Sequence, residues 1–322
     1  MKRIFRMNFP VRRSRSLRRN AALVFLCSGL AFAELTPAVA QESFKTPEAA
    51  ADALANAARI GDRAAIVKVL GPDGADIASS GDPVADADMR KKFVATYDSK
   101  HQVKMDGDAK ATLIIGQEDF PVPIPLVRKG DAWQFDTVAG RQEILARRIG
   151  RNEIAAIQSS LAYVDAQNDY AAKDRGAGAG VYAQRIVSSA GKKDGLYWPA
   201  SAGGDESPLG ELVAQATRQG YRTGEGRTPF HGYYFKILTK QGPDARGGAV
   251  SYVVNGKMIG GFALVAYPAE YRNSGVMTFI VNHDGVVYQK DLGPRTDELA
   301  ERMTSFNPDQ SWAKVTDTEP LR

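Results

Sequence analysis

"GGFALVAYPAEYRNSGVMTFIVNHDGVVYQKDLG" (Gly260–Gly293) decides the fold class of the C-terminal half. Its runs "GFALVAYP", "VMTFIVN" and "VVYQKDLG" are rich in β-branched and aromatic residues, and the residues between them are of the turn-forming kind. Upstream, "YYFKILT" (Tyr233–Thr239) has the same character. Four such runs predict a four-stranded antiparallel meander. Further back, Ile154, Ile157, Leu161 and Val164 recur at three- and four-residue spacing, the apolar stripe of a helix from Arg151 to about Lys173. "DRGAGAG" (Asp174–Gly180) stops that helix, and Ser207-Pro208 starts a shorter one that closes at Gly220. One helix laid on a meander is an α+β unit, placed at 151–316.

The preceding stretch predicts a second small α+β domain over residues 41–140. Thr46 reads as an N-cap, Pro47 as the first helical residue and Gly61 as a stop; Asp62 and Gly71 repeat the device. The Asp-rich segment Asp73–Asp88 reads as a polar loop. Strand-like runs follow: "HQVKM" (His101–Met105), "ATLIIG" (Ala111–Gly116), "VPIPLVRKG" (Val122–Gly130) and "AWQFDT" (Ala132–Thr137). Pro121, Pro123 and Pro125 alternate, which puts their rings on one strand edge that needs no ladder donor. "AGRQEILARRIG" (Ala139–Gly150) reads as a connecting helix ending at Gly150, so the boundary falls between Gly140 and Gly150.

The first forty residues read as an export signal. Eight Lys and Arg form a basic start, and "AALVFLCSGLAFA" (Ala21–Ala33) is apolar but too short to span a bilayer. "AVA" (Ala38–Ala40) predicts cleavage after Ala40. Cys27 has Leu26 where a lipidation signal needs a small residue. Of the chain's 42 basic and 37 acidic residues, eight and one lie in this leader, leaving 34 against 36. The mature chain is therefore near neutral, which removes the case for nucleic-acid binding. Cys27 is the only cysteine, so the mature chain has no disulfide, thiol nucleophile or cysteine-bound metal. No stretch of it predicts a transmembrane span.

Acid–base candidates are few, because the chain has three histidines. His283 and Asp284 sit in "VNHDGVVY", where Asp284-Gly285 is a hairpin signal; adjacent residues rarely orient one another as a base and its partner must. His231 stands at the start of "YYFKIL", a strand apolar on both faces and so read as central and covered. That position suits one backbone hydrogen bond better than a proton transfer. Asp82, Asp86 and Asp88 lack the spacing of a calcium loop. No G-x-S-x-G occurs. Tyr197 and Trp198, in "LYWPASAGGD", read equally as a surface for a glycan or as a cover for the sheet end. Nothing in the pattern asks for a cofactor.

"PFHGYYFKILTKQG", "YVDAQNDYA" and the stretch quoted first together resemble a family of exported bacterial proteins catalogued as domain of unknown function 2950, over roughly Phe44 to Trp312. That resemblance implies an exported location and supplies no activity. The helix ending "AYVDAQNDYAAKD" with the β-rich runs after it is also similar to the globular part of type IV pilins and pseudopilins, over about Arg151–Gly293. Pilins carry an apolar membrane-spanning half on that helix; here a whole domain precedes it. The N-terminal half resembles the cone-shaped sheet-and-helix fold of many small-ligand pockets and scaffolds.

Two functions follow as expectations. The first is a non-enzymatic periplasmic or secreted protein acting through surface or assembly contacts, with an envelope protein or glycan as partner. The second is a periplasmic small-ligand binding or hydrolytic protein with its pocket in the N-terminal domain or near His231.

Overall fold

A computed structural model describes residues 40–199, 204–222 and 228–316; apart from Ala40, the expected leader lies outside them. The chain is α+β throughout. Helix α1 (Pro47–Ile60) starts where Thr46 Oγ1 accepts the Ala49 N–H, and ends where Gly61 takes a left-handed φ of 75°. Helix α2 (Arg63–Leu70) is capped by Asp62, and a short helix α3 (Ala75–Ala78) follows.

The Asp-rich segment is not the loop its composition suggests. Asp82 and Pro83 repeat the cap-and-proline device of Thr46 and Pro47, and they launch α4 (Pro83–Ser99), a helix of 17 residues. Asp82 is its cap, and Asp86 and Asp88 lie in its first turns. Only Tyr97 of this helix is fully buried, so no apolar stripe marks it.

A sheet follows, built from β1 (His101–Asp106), β2 (Lys110–Ile115), β3 (Phe120–Pro121), β4 (Leu126–Lys129) and β5 (Ala132–Phe135). The order is β1-β2-β4-β5, antiparallel, with β3 also against β2. The alternating prolines do not lie along one strand edge. The expected strand is shortened to β4, leaving residues 122–125 outside any strand and Pro121 in the separate β3, because a residue preceding proline and proline itself both resist regular pairing. Helices α1 and α2 pack on this sheet around Leu54, Ile66, Leu70, Leu126, Trp133 and Phe135.

Helix α5 (Thr137–Ala171) runs for 35 residues without a break, about 50 Å at 1.5 Å per residue. Gly150 does not end it. A helical glycine costs only about 1 kcal/mol, and both ends of the helix are anchored. Near its start, Gly140 lies against the backbone of Pro123 and Ile124. Toward its end, Tyr163 Oη donates to the Ala263 carbonyl (3.3 Å), and the Gln167 amide makes two 2.8 Å bonds to the Ala183 backbone.

Helix α6 (Gly210–Gln219) ends at Gly220 with left-handed φ, as its sequence implies. The second half then lays down β6 (Tyr233–Leu238), four two-residue strands β7 (Lys240–Gln241), β8 (Val250–Ser251), β9 (Val253–Val254) and β10 (Lys257–Met258), then β11 (Ala263–Pro268), β12 (Met277–Asn282), β13 (Tyr288–Asp291), α7 (Thr296–Arg302), β14 (Ser305–Phe306) and β15 (Ala313–Lys314). The main sheet has the order β15-β13-β12-β11-β6. Its four longer strands are the four predicted runs, paired in chain order, with β15 added at one edge. All six residues of β11 are buried, and both α5 and α7 pack against it. Among the described residues no helix is long and apolar enough to cross a membrane.

Strand β6 is an edge strand, not the centre of the sheet. Its only main-sheet partner is β11, and Phe235 is half-buried. An apolar composition on both faces does not distinguish a central strand from an edge strand whose faces are partly covered. Phe279 on β12 holds the core position instead, fully buried and opposite the same Ala266 that faces Phe235. Phe279→Ala is expected to cost about 3–5 kcal/mol and Phe235→Ala clearly less, by urea denaturation.

The two glycines of α5 give a second check. A methyl at Gly140 would meet the Ile124 Cα and the Pro123 carbonyl oxygen at 2.6 Å, while one at Gly150 would meet nothing within 4 Å. Gly140→Ala is expected to destabilise by about 1–3 kcal/mol, and Gly150→Ala to stabilise by about 1 kcal/mol. Opposite signs in denaturant midpoints confirm this helix placement.

Candidate functional site

Between α4, α5 and the first sheet lies a cleft of about 590 Å³. Its walls are apolar: Leu54 from α1, Ile66 and Leu70 from α2, Phe93 from α4, Ile115 from β2, and Ile144 from α5. Ala58, Ala85 and Ala155 also line it, and their methyl side chains leave the space unfilled. The C-terminal half contributes Tyr221 and His231. The charged lining comes from Asp86, Asp88, Arg90 and Lys92 on α4 and from Arg147, Arg148 and Arg151 on α5. Residues three and four apart share a helix face, so Arg148 and Arg147 both neighbour Arg151.

A buried carboxylate organises one end. Asp82 is fully buried. Its Oδ1 accepts the Val84 and Ala85 N–H groups (3.1 and 3.0 Å). Its Oδ2 accepts the Tyr221 hydroxyl and the Gly232 N–H, both at 2.8 Å. The Tyr221 oxygen in turn accepts the His231 N–H at 3.1 Å. Burial, then the charge of Asp82, pushes the Tyr221 phenol well above its ordinary range, so it remains a neutral donor. Beside it, Asp86 accepts from both the backbone N–H and the hydroxyl of Ser80.

His231 and Gly232 have φ of 50° and 75°. They are the central residues of a tight turn closed by reciprocal backbone bonds between Phe230 and Tyr233. Two successive left-handed residues define the primed hairpin turns, and glycine is required at the second. A methyl on Gly232 would lie 2.6 Å from Asn152 Nδ2. The His231 ring packs between Phe230 and Tyr221, with centroids at 4.3 and 5.6 Å. Burial lowers its pKa, against the raising effect of Asp82 and Asp88.

The arginines differ sharply in their partners. Arg147 pairs with Glu143 (2.7 Å). Arg148 donates to the Asp76 and Ile77 carbonyls and to Asn273 Oδ1 (2.6, 2.8 and 2.5 Å), neutral acceptors all. Arg151 has no hydrogen-bonding or ion-pair partner among the described residues. Arg148 is half-buried and Arg151 exposed; partial desolvation lowers the pKa of both, against the charges of Asp86, Asp76 and Glu270 at Arg148 and with Arg147 adding to the effect at Arg151.

Of the five residues singled out by sequence, His231 alone lines the cleft. His283 and Asp284 are exposed at the tip of the β12–β13 hairpin, where the Gly285 N–H donates to the Asn282 carbonyl. The turn therefore centres on His283-Asp284, one residue earlier than the Asp-Gly signal implies. Trp198 is buried, its Nε1 donating to the Asp205 carbonyl (3.0 Å) with the Arg175 guanidinium 4.9 Å from its ring centre. Tyr197 is half-buried and holds backbone bonds to Ile186 and Ser188. Asp82 was weighed only as a calcium ligand, and Tyr221, Arg148 and Arg151 were missed. The legible signals for them were the cap pair Asp82-Pro83 and the cluster "RRIGR" (Arg147–Arg151).

Asp82→Ala removes a helix cap and strands two buried donors, with an expected cost of about 2–4 kcal/mol. Tyr221→Phe, which removes one hydroxyl, is expected to cost about 1 kcal/mol. A pH effect also follows. His231 has a lower pKa folded than unfolded, so the unfolded chain takes up the proton first as pH falls. Its contribution to stability is therefore present above about pH 6.5 and is lost as pH drops through the folded pKa. Asparagine tolerates positive φ, so His231→Asn is expected to keep the turn and to flatten this part of the stability profile, measured by urea denaturation at stepped pH.

No curated protein and no solved structure matches the chain. A family model does, over residues 41–315, which spans almost every described residue of both halves. The chain thus belongs to the DUF2950 family, described as proteins of unknown function.

Proposed function

We propose that this protein binds a small, largely apolar molecule in the cleft between α4, α5 and the first sheet. The observation that carries the reading is the cleft itself. At about 590 Å³ it falls within the ~300–1,000 Å³ of small-ligand pockets, which are mostly apolar with a few placed polar groups. Helices wrapped over a sheet around such a space also suit the cone-shaped ligand-binding folds that the N-terminal half resembles. The other expectation, surface or assembly contacts with an envelope protein or glycan, had Tyr197 and Trp198 as an evenly weighed candidate surface, and a buried Trp198 offers little of one. Binding is favoured over hydrolysis because Ser80, the serine in the cleft lining, donates its hydroxyl to Asp86 at 2.6 Å, and no bond joins it to a histidine. With this reading go an exported, periplasmic address, inferred from the leader's charge and its "AVA" site, and a C-terminal half that serves as a pilin-like scaffold.

The test uses the chain from Gln41 onward and the uncharged fluorophore N-phenyl-1-naphthylamine, which brightens in apolar surroundings. Saturable binding is expected. Ala155→Phe, which fills the cleft from α5, is expected to weaken it roughly tenfold or more with little change in melting temperature. Absence of saturable binding, or equal binding by a folded Ala155→Phe variant, would sink the proposal.

A further inference from the structure

We infer that the molecule held in the cleft is an anionic amphiphile, an alkyl chain ending in a carboxylate, sulfate or phosphate, with its head at Arg151 beside Arg148. This inference rests on the cleft being a binding site.

The charges around the cleft are unbalanced. Five arginines and lysines line it against two aspartates. Neither aspartate is bonded to the α5 pair: Asp86 accepts from Ser80 and acts on Arg148 through its charge alone, as do the Asp76 and Glu270 carboxylates, while Asp88 pairs with Lys92 at 2.8 Å. Arg147 already has Glu143. What is left is Arg148, a half-buried guanidinium whose hydrogen-bond acceptors are all neutral, and Arg151, an exposed side chain of the cleft lining with no partner among the described residues.

A half-buried cation such as Arg148, bonded to no carboxylate, gains from an arriving anion, and the exposed Arg151 can exchange water for that anion. Arg148 is held by three bonds, so it supplies fixed positive charge. Arg151 supplies free donors in a fork that fits a carboxylate or phosphate. The two lie three residues apart on α5 and therefore act on one head group.

The rest of the wall is aliphatic and aromatic. A wholly hydrophilic anion would leave it wet, and a neutral apolar molecule would leave the Arg151 donors without an anionic partner. An amphiphile satisfies both parts of the lining at once. Asp82 and Tyr221, bonded to each other at 2.8 Å, do not compete for the head.

Displacement of N-phenyl-1-naphthylamine from the chain beginning at Gln41 tests this with four competitors: decanoate, decyltrimethylammonium and decanol, each below its micelle concentration, and inorganic phosphate. Decanoate is expected to displace the probe at a concentration roughly tenfold or more below decyltrimethylammonium, with decanol between them and phosphate without effect. In Arg151→Gln, the ratio of decanoate to decyltrimethylammonium potency, each referred to that variant's own probe affinity, is expected to fall to near one. Circular dichroism confirms that the variant is folded. Equal potency of the two charged amphiphiles overturns the head-group assignment while the cleft reading stands. So does displacement by phosphate alone, or a preference for decanoate that survives Arg151→Gln. Failure of the wild type to bind the probe at all is a different result, and it overturns the cleft reading itself.

Discussion

The Asp82 carboxylate is the constraint on which the rest of the molecule depends. A carboxylate removed entirely from water persists only when its acceptor positions are filled, and here four donors fill them. Two come from the first turn of α4 and two from the C-terminal half, through Tyr221 and Gly232. The start of α4 is thereby tied to the turn that carries His231, and together they form part of the cleft wall. A second tie runs in parallel. Arg148 reaches the Asp76 and Ile77 carbonyls and Asn273, while Asn273 Nδ2 returns a bond to the Ser79 carbonyl. Residues 76–82 are thus clasped from α5 and from the loop before β12, which is why the cleft has fixed walls.

Helix α5 gives both ties a common frame. It lies against the first sheet at Gly140 and against the second at Tyr163. Midway, Glu153 accepts the Val276 and Met277 N–H groups at 2.9 Å each. Each half keeps its own apolar core, and the shared helix with its polar clasps sets the geometry where they meet. Apolar packing supplies most of the stability; the directional bonds determine where the cleft lies.

What was legible in the sequence follows from how local each determinant is. The caps at Thr46 and Asp62, the left-handed Gly61 and Gly220, and the four meander runs depend on neighbours a few residues away, and they form as read. Helix α4 was hidden because its cap and its acidic first turns look like a solvated loop, and little of the helix is buried. Gly150 looked like a stop, yet a single helical glycine is outweighed once both ends of the helix are anchored. The buried face of α5 includes Ile157 and Val164 of the expected stripe, but also Ser160 and Gln167, whose burial depends on partners distant in sequence. The site fails to show for the same reason. Asp82 and Tyr221 stand 139 residues apart, and no spacing rule joins them.

The cleft has a thermodynamic consequence for the whole chain. Protein interiors are otherwise close-packed, and an apolar space lined by Ala58, Ala85 and Ala155 forgoes burial that larger side chains would provide. Filling it with a ligand restores that burial and favours the folded state by mass action, in proportion to RT ln(1 + [L]/Kd). Because Gln219, Tyr221 and His231 belong to the C-terminal half and the rest of the lining to residues 54–155, the occupant would touch both halves at once. The tie at Asp82 joins the same two halves, so a ligand bound as proposed would resist the separation that breaks the tie. Ligand binding and the union of the two halves would then be linked, each strengthening the other by the same free energy.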